Sequence, residues 1–342
     1  MGCKLFSWSA IYQPILPALL GPKDSGESHH GGTTLRTITL LILLCTACVS
    51  AFSQTDSSVN NDNSAVQSAP PIIGITWAKD GVPEQFGQPA RRSPNMTYHS
   101  GKIMPTAVSK AIFWGPSWGN SGFVGDKISG LDTWYIGHSG SNYAITVDEY
   151  TGTNGRVGSS TTYQGHLIDT STAAGGGNTS TILAEVCRQV SAGNIVPDSS
   201  GNGYYPVYSD VKRGSAGYCA WHSAGSCNGH ALQFAFFFNL DGDAGCDPTD
   251  TQTGHSQGLA ALANVTAHEL SEARSDPASP GAWYDSSGQE NGDKCAWTFN
   301  VPYVRFSDGN IWKLQGEWSN AAYTAGTGYP NRSGQRGCLD GH

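Results

Sequence analysis

Apolar residues in this chain gather into short segments of two different periods. Across residues 231–238 only Gln233 interrupts a run of alanine, leucine and phenylalanine, so the segment shows no polar face and predicts a central strand covered on both sides. Residues 111–114 and 143–147 have the β-branched and aromatic content of further strands. Two stretches follow the helical period instead, residues 181–190 and 258–275. In the second, Leu259, Leu262, Val265, Thr266, Leu270 and Ala273 share one arc at about 100° per residue. Asp276-Pro277 supplies its stop.

The ionisable side chains of that helix flank its apolar stripe. His268, Glu269, Glu272 and Asp276 lie at the edge of the stripe, while Asn264, Ser271 and Ser275 mark the arc predicted to be solvated. His268 and Glu272 are one helical turn apart and can reach one ion, with Glu269 between them as the predicted proton acceptor for the ion's water. The pattern is the zincin H-E-x-x-H with its second histidine replaced by Glu272. That exchange keeps the spacing and swaps a nitrogen donor for oxygen, so one divalent ion is expected, zinc before calcium. An ordinary amphipathic helix is the plain alternative. Against it, charged residues make up 13% of the chain, where about 25% is typical, so such clustering is not background.

The loop Trp283-Tyr284-Asp285-Ser286-Ser287-Gly288-Gln289-Glu290-Asn291-Gly292-Asp293-Lys294-Cys295 brings more carboxylates. Three protein ligands and a water make an open catalytic site, and Asp276, Glu290 and Asp293 are the candidates for the third. A glycine turn ending in a disulfide at Cys295 is the structural alternative.

Other motifs are weaker. From Asn239, acidic residues alternate as in a calcium loop, but Ala244 stands where the loop turns on glycine and Asp250 where its last ligand is glutamate. His222, His230 and His255 read as surface or hydrogen-bonded histidines. No G-x-S-x-G elbow is present. Asp148 and Glu149, adjacent on a predicted strand, would point to opposite faces and make no acid–base pair.

Arg36 leads the apolar run 38–44, and small residues 49–51 precede Phe52. Residues 1–51 are therefore expected to be a leader with a signal peptide, its apolar run too short to span a bilayer. Residues 52–71 are polar and predict a disordered linker. Residues 72–342 form the folded part. Six cysteines lie there, Cys187, Cys219, Cys227, Cys246, Cys295 and Cys338, an even number that predicts disulfides in an exported protein. Cys219 with Cys227 and Cys295 with Cys338 are the short-range pairings, among about fifteen arrangements. With a net charge of -8 and no basic run, nucleic acid is excluded as a partner.

Five segments, in order, carry a resemblance. Tyr98-His99-Ser100-Gly101, Ala111-Ile112-Phe113-Trp114-Gly115 with Trp118, Val147-Asp148-Glu149-Tyr150, Tyr218-Cys219-Ala220-Trp221-His222-Ser223-Ala224-Gly225, and the helix with its following loop together resemble the Exordium-like, or phosphate-induced protein 1, family over residues 97–340. The resemblance implies an extracellular, cell-wall-associated setting and no particular activity. The fold expected is α+β, a single domain with a mixed sheet packed against a zincin-like metal-binding helix and disulfide-linked loops. The expected function is a secreted (or periplasmic) metal-dependent hydrolase, a zincin-like peptidase acting on an extracellular peptide or cell-wall polymer. The alternative is a non-catalytic wall or matrix protein with a structural ion, its tryptophans and tyrosines contacting polysaccharide.

Overall fold

Residues 231–238 do form an inner strand, the third of a six-stranded mixed sheet. The structure is a computed structural model that describes residues 69–83 and 94–342; the predicted leader, and the linker through residue 68, lie outside the described residues. The sheet contains β1 (Ile72–Trp77), β2 (Ala107–Trp114), β3 (Thr161–Asp169), β4 (Gly203–Lys212), β5 (Tyr218–Cys227) and β6 (His230–Asn239), in the order β1-β5-β6-β4-β2-β3. The pairs β6–β4, β4–β2 and β2–β3 are parallel, while β5 is antiparallel to both β1 and β6. β5 and β6 form a hairpin whose two-residue turn, Asn228-Gly229, has positive φ at both positions. That is the conformation a tight hairpin requires, and Asn-Gly adopts it at least cost.

Three longer helices accompany the sheet: α1 (Lys127–His138), α2 (Thr179–Ser191) and α3 (Gln257–Ser275). Alternation along β5 separates the two faces. Trp221 donates its indole N–H to Gly176 O at 2.8 Å, and Gly225 lies against Leu183 of α2. His222, between them in parity, points the other way, to Glu269 of α3. Helices therefore cover both faces, which explains the almost wholly apolar run of β6. Mixed α+β architecture with a mixed sheet is thus present.

α3 starts at the N-cap Ser256, whose hydroxyl accepts from Leu259 N–H. Every residue from Gly258 to Ser275 is buried, so the solvated arc predicted at Asn264, Ser271 and Ser275 does not exist. A second layer covers it. Asn264 accepts Gln315 N–H at 2.8 Å, and Asn291, at the start of the short helix α4 (Asn291–Lys294), donates to Ser271 O and Ser275 Oγ. Asn264 and Ser275 are thus partnered in the buried layer through Oδ1 and Oγ, and Ser271 through its backbone carbonyl. Leu270, fully buried on this helix, gives a direct test of the packing: Leu270→Ala should cost about 2–5 kcal/mol in a denaturant melt, where an exposed helix position would cost almost nothing.

Two local expectations are corrected. Residues 143–147 are not a strand but the short helix Asn142–Ile145 and a following turn, because Ser141 caps the Ala144 N–H and starts a helical turn. Asp148 and Glu149 consequently sit in that turn, Asp148 paired with Arg156 and Glu149 accepting the N–H groups of Asn320 and Ala321. The acids after Asn239 are engaged as well, Asp241 by Lys127 and Asp243 by Arg213.

The disulfides join Cys187 to Cys227, Cys219 to Cys246 and Cys295 to Cys338. The short-range pairing of Cys219 with Cys227 is wrong because both lie on β5. An extended strand separates them by roughly 26 Å at about 3.3 Å per residue, far beyond disulfide reach. Cys295–Cys338 ties the end of α4 to β8 (Arg336–Leu339), which pairs with β7 (Glu317–Trp318). Among the described residues no helix is long and apolar enough to cross a membrane.

Candidate metal centre

Four elements bring polar side chains into one buried space. α3 contributes His268, Glu269 and Glu272, with Asp276 at its C-terminal cap; β5 contributes His222; Glu290 and Asp293 come from α4 and its N-cap; β1 supplies Gly74 and Thr76. His222, His268, Glu269 and Glu272 are fully buried. Two groups form, His222–Glu269–Glu272 and His268–Glu272–Asp293, each with one donor atom per residue and all within 4.8 Å of one another. Glu272 belongs to both.

The oxygens of the cluster differ in what they already hold. Glu269 Oε1 accepts both the N–H and the hydroxyl of Thr76, at 2.9 and 2.6 Å, and its Oε2 lies 3.1 Å from His222 Nδ1. Glu272 Oε1 accepts the Asp293 N–H at 3.0 Å and is 2.8 Å from His268 Nε2, without the alignment of a hydrogen bond to that ring. Glu272 Oε2 and both oxygens of Glu290 find no hydrogen-bond donor among the described residues. Asp276 accepts the Ala282 N–H, and its carbonyl oxygen is 3.3 Å from His222 Nε2. Asp293 accepts the Glu290 N–H, closing a reciprocal cap on α4.

Two glycines are required where the backbone approaches these side chains. A Cβ on Gly74 would fall 2.3 Å from Glu272 Oε2, from Glu290 Oε2 and from His222 Cε1, so only glycine leaves these groups their positions. On the other side, a Cβ on Gly292 would meet His268 Cγ at 2.8 Å and Glu272 Oε1 at 3.0 Å.

Electrostatics follow from crowding several buried acids against two imidazoles. Burial, reinforced by Glu272 and Asp276, holds the Glu290 carboxyl well above the usual range. Burial and Glu272 do the same to Asp293, and burial raises Asp276. Burial would raise Glu272 too, but the neighbouring His268 and His222 bring it below its ordinary value. Burial would lower His268, yet Glu272, Glu269 and Asp293 outweigh it and raise the ring to about 10; His222 is likewise raised despite burial, chiefly by Glu269. Acids pressed together in this way either take up protons or share a cation. Unpaired buried oxygens converging beside Gly74 and a nitrogen–oxygen donor set fit a divalent cation.

Every residue expected at the site, His268, Glu269, Glu272, Asp276, Glu290 and Asp293, lies in this cluster. Glu269 is placed differently from a free base, since Thr76 and His222 engage both of its oxygens. His222, read as an ordinary histidine, belongs to the cluster because β1 and β5 pair with Gly74 opposite His222. Gly74, Thr76 and Gln315 carried no signal in the sequence, for their roles depend on pairings distant along the chain. Asp293 lines a surface cleft with Trp77, Lys294, Arg332 and Gln335, and its side chain is 9% exposed. No family model, curated protein or solved structure matches the chain.

Proposed function

We propose that this chain is a secreted metal-dependent hydrolase whose ion sits in the cluster centred on Glu272, and that peptides are its first substrate class to test. The observation carrying the proposal is that buried oxygens of Glu272 and Glu290 lack donors beside two imidazoles. Three disulfides among the described residues suit an extracellular setting, in keeping with the Exordium-like resemblance. A divalent ion bound there would supply Lewis acidity and a hydroxide near neutral pH. The protein's own part is to hold, orient and move protons. Thr76 fixes Glu269, Glu269 fixes His222, and the Asp293 N–H fixes Glu272. Of the acids in the cluster, Asp293 alone lines the cleft, which makes it the best-placed proton acceptor for water entering there.

The proposal predicts chelator-sensitive hydrolysis of casein or wall peptides at neutral pH. Asp293→Asn should lose about 10²–10⁴-fold in rate. Metal-loaded wild type that turns over no peptide, ester or glycan would overturn it. One feature favours a second reading, a wall or matrix protein with a structural ion: the cluster is closed except at Asp293, and structural sites are closed. Under that reading the ion stabilises the fold and no substrate is consumed.

A further inference from the structure

We propose that the cleft beside Asp293 takes its substrate by a free carboxylate of a peptide, and that Arg332 is the residue that binds this group. The proposal rests on the hydrolase reading above and adds the substrate class of the same site.

Trp77 and Val82 contribute apolar surface to the cleft, Asp293 and Lys294 come from α4, and Arg332 comes from the turn 331–335. Its two cations differ in what they already hold. Lys294 Nζ is 2.7 Å from Asp285 Oδ2 in a buried pair and lies 5.2 Å from the centre of the Trp318 ring. Arg332 is exposed and has no hydrogen bond or ion pair among the described residues. Its backbone is nonetheless fixed. Asn331 Oδ1 accepts the N–H groups of Ser333 and Gln335, both at 3.0 Å, while the Asn331 N–H donates to Gln335 O and the Asn331 carbonyl accepts Gly334 N–H, both at 2.9 Å. This pinned turn leads into β8, whose Cys338 is bonded to Cys295 at the end of α4. Asp293 stands two residues before Cys295 and Arg332 six before Cys338, so the acid and the free cation sit on two walls that a disulfide joins.

Charge selects the substrate class. The chain carries a net -8 and the cleft an acid of its own, so an anionic group is disfavoured there except at the unpaired guanidinium. A guanidinium fork matches the two oxygens of a carboxylate. Size narrows the choice further. The cleft encloses about 40 Å³, room for roughly three waters at about 10–15 Å³ each, and so takes the tip of a molecule rather than a chain running through it. For a peptide, the matching group is the terminal carboxylate or the side chain of an aspartate or glutamate. A peptide held at Arg332 by that group has its adjoining bonds available to the Asp293 wall, where the hydrolase reading needs them.

The test is calorimetric titration of chelator-stripped, disulfide-intact full-length protein with three N-acetylated alanine tetrapeptides: one ending in a free carboxylate, one ending in an amide, and one ending in an amide but carrying a glutamate at its third position. A peptide with a carboxylate should bind at least about fivefold tighter than the plain amide, the scale of one well-formed ion pair near a surface. Preference for the free acid identifies the chain end as the source, and preference for the glutamate peptide identifies the side chain. Arg332→Gln should bring all three to the affinity of the plain amide, and Arg332→Lys, which keeps the charge without the fork, should restore only part of the preference. Zinc affinity should be unchanged in both variants, since Arg332 belongs to neither donor group. Equal binding of the three peptides by wild type, no binding of any, or a preference that survives Arg332→Gln would overturn the inference. Cleavage of the same peptides by zinc-loaded protein is read separately, and Arg332→Gln should raise KM for the preferred peptide with kcat unchanged. Carboxylate-selective binding without turnover would end the hydrolase reading and leave the carboxylate site standing; turnover without that selectivity would do the reverse.

Discussion

Glu272→Ala is expected to abolish ion binding and, with it, at least about 10²–10⁴-fold of hydrolytic rate, the loss typical of removing one essential group. Among the described residues Glu272 alone belongs to both donor groups. Its effect on stability should depend on metal. In the stripped protein the change removes a carboxylate from among Asp276, Glu290 and Asp293, all raised partly by Glu272, and relief of that crowding offsets the lost bond from Asp293 N–H. In metal-loaded protein the wild type gains linkage stability, about 2.7 kcal/mol at a hundredfold excess of ion over its dissociation constant. A thermal melt with and without chelator should therefore shift for wild type and stay fixed for Glu272→Ala. Equal chelator shifts in both proteins would show that the ion binds elsewhere.

The second large effect concerns Cys295–Cys338. Replacing both by serine should cost about 2–5 kcal/mol in a denaturant melt, as for native disulfides of comparable proteins. The particular expectation is that ion affinity falls as well, under conditions where the protein is still folded. The bond anchors the end of α4, and α4 with its cap holds Glu290 and Asp293. Replacing Cys187 and Cys227 should cost similar stability and leave ion affinity unchanged, because that bond ties α2 to β5 on the face away from the cluster. Paired zinc titrations of the two double variants check the contrast. Identical affinities would mean α4 is held by its other contacts.

Periodicity made α3 and β6 legible, for both are long enough to show their pattern: α3 was expected at 258–275 and spans Gln257–Ser275, and the run 231–238 became His230–Asn239. It misjudged how α3 is covered, because Asn264, Ser271 and Ser275 look the same in sequence whether they meet water or Gln315 and Asn291. The segment 143–147 failed for a related reason. Its aromatic and branched residues suit a strand, but the capping Ser141 ahead of it sets a helical turn. At the site, the acids of α3 and α4 were visible through local spacing. Gly74, Thr76 and His222 were not, since strand pairing rather than spacing brings them to the helix, and the two ring environments differ only through partners such as Gln315.

The bond between Thr76 and Glu269 spans 193 positions of the chain. Strand β1 is made early in synthesis and its partner 193 positions later, so the cluster assembles only after residues through Asp293 have been made. A truncated product that ends between residues 269 and 289 has both histidines and lacks Glu290 and Asp293; one clipped after β1 loses Gly74. Retention of an ion would thereby serve as a seal of completeness, distinguishing whole molecules from fragments that share most of their sequence.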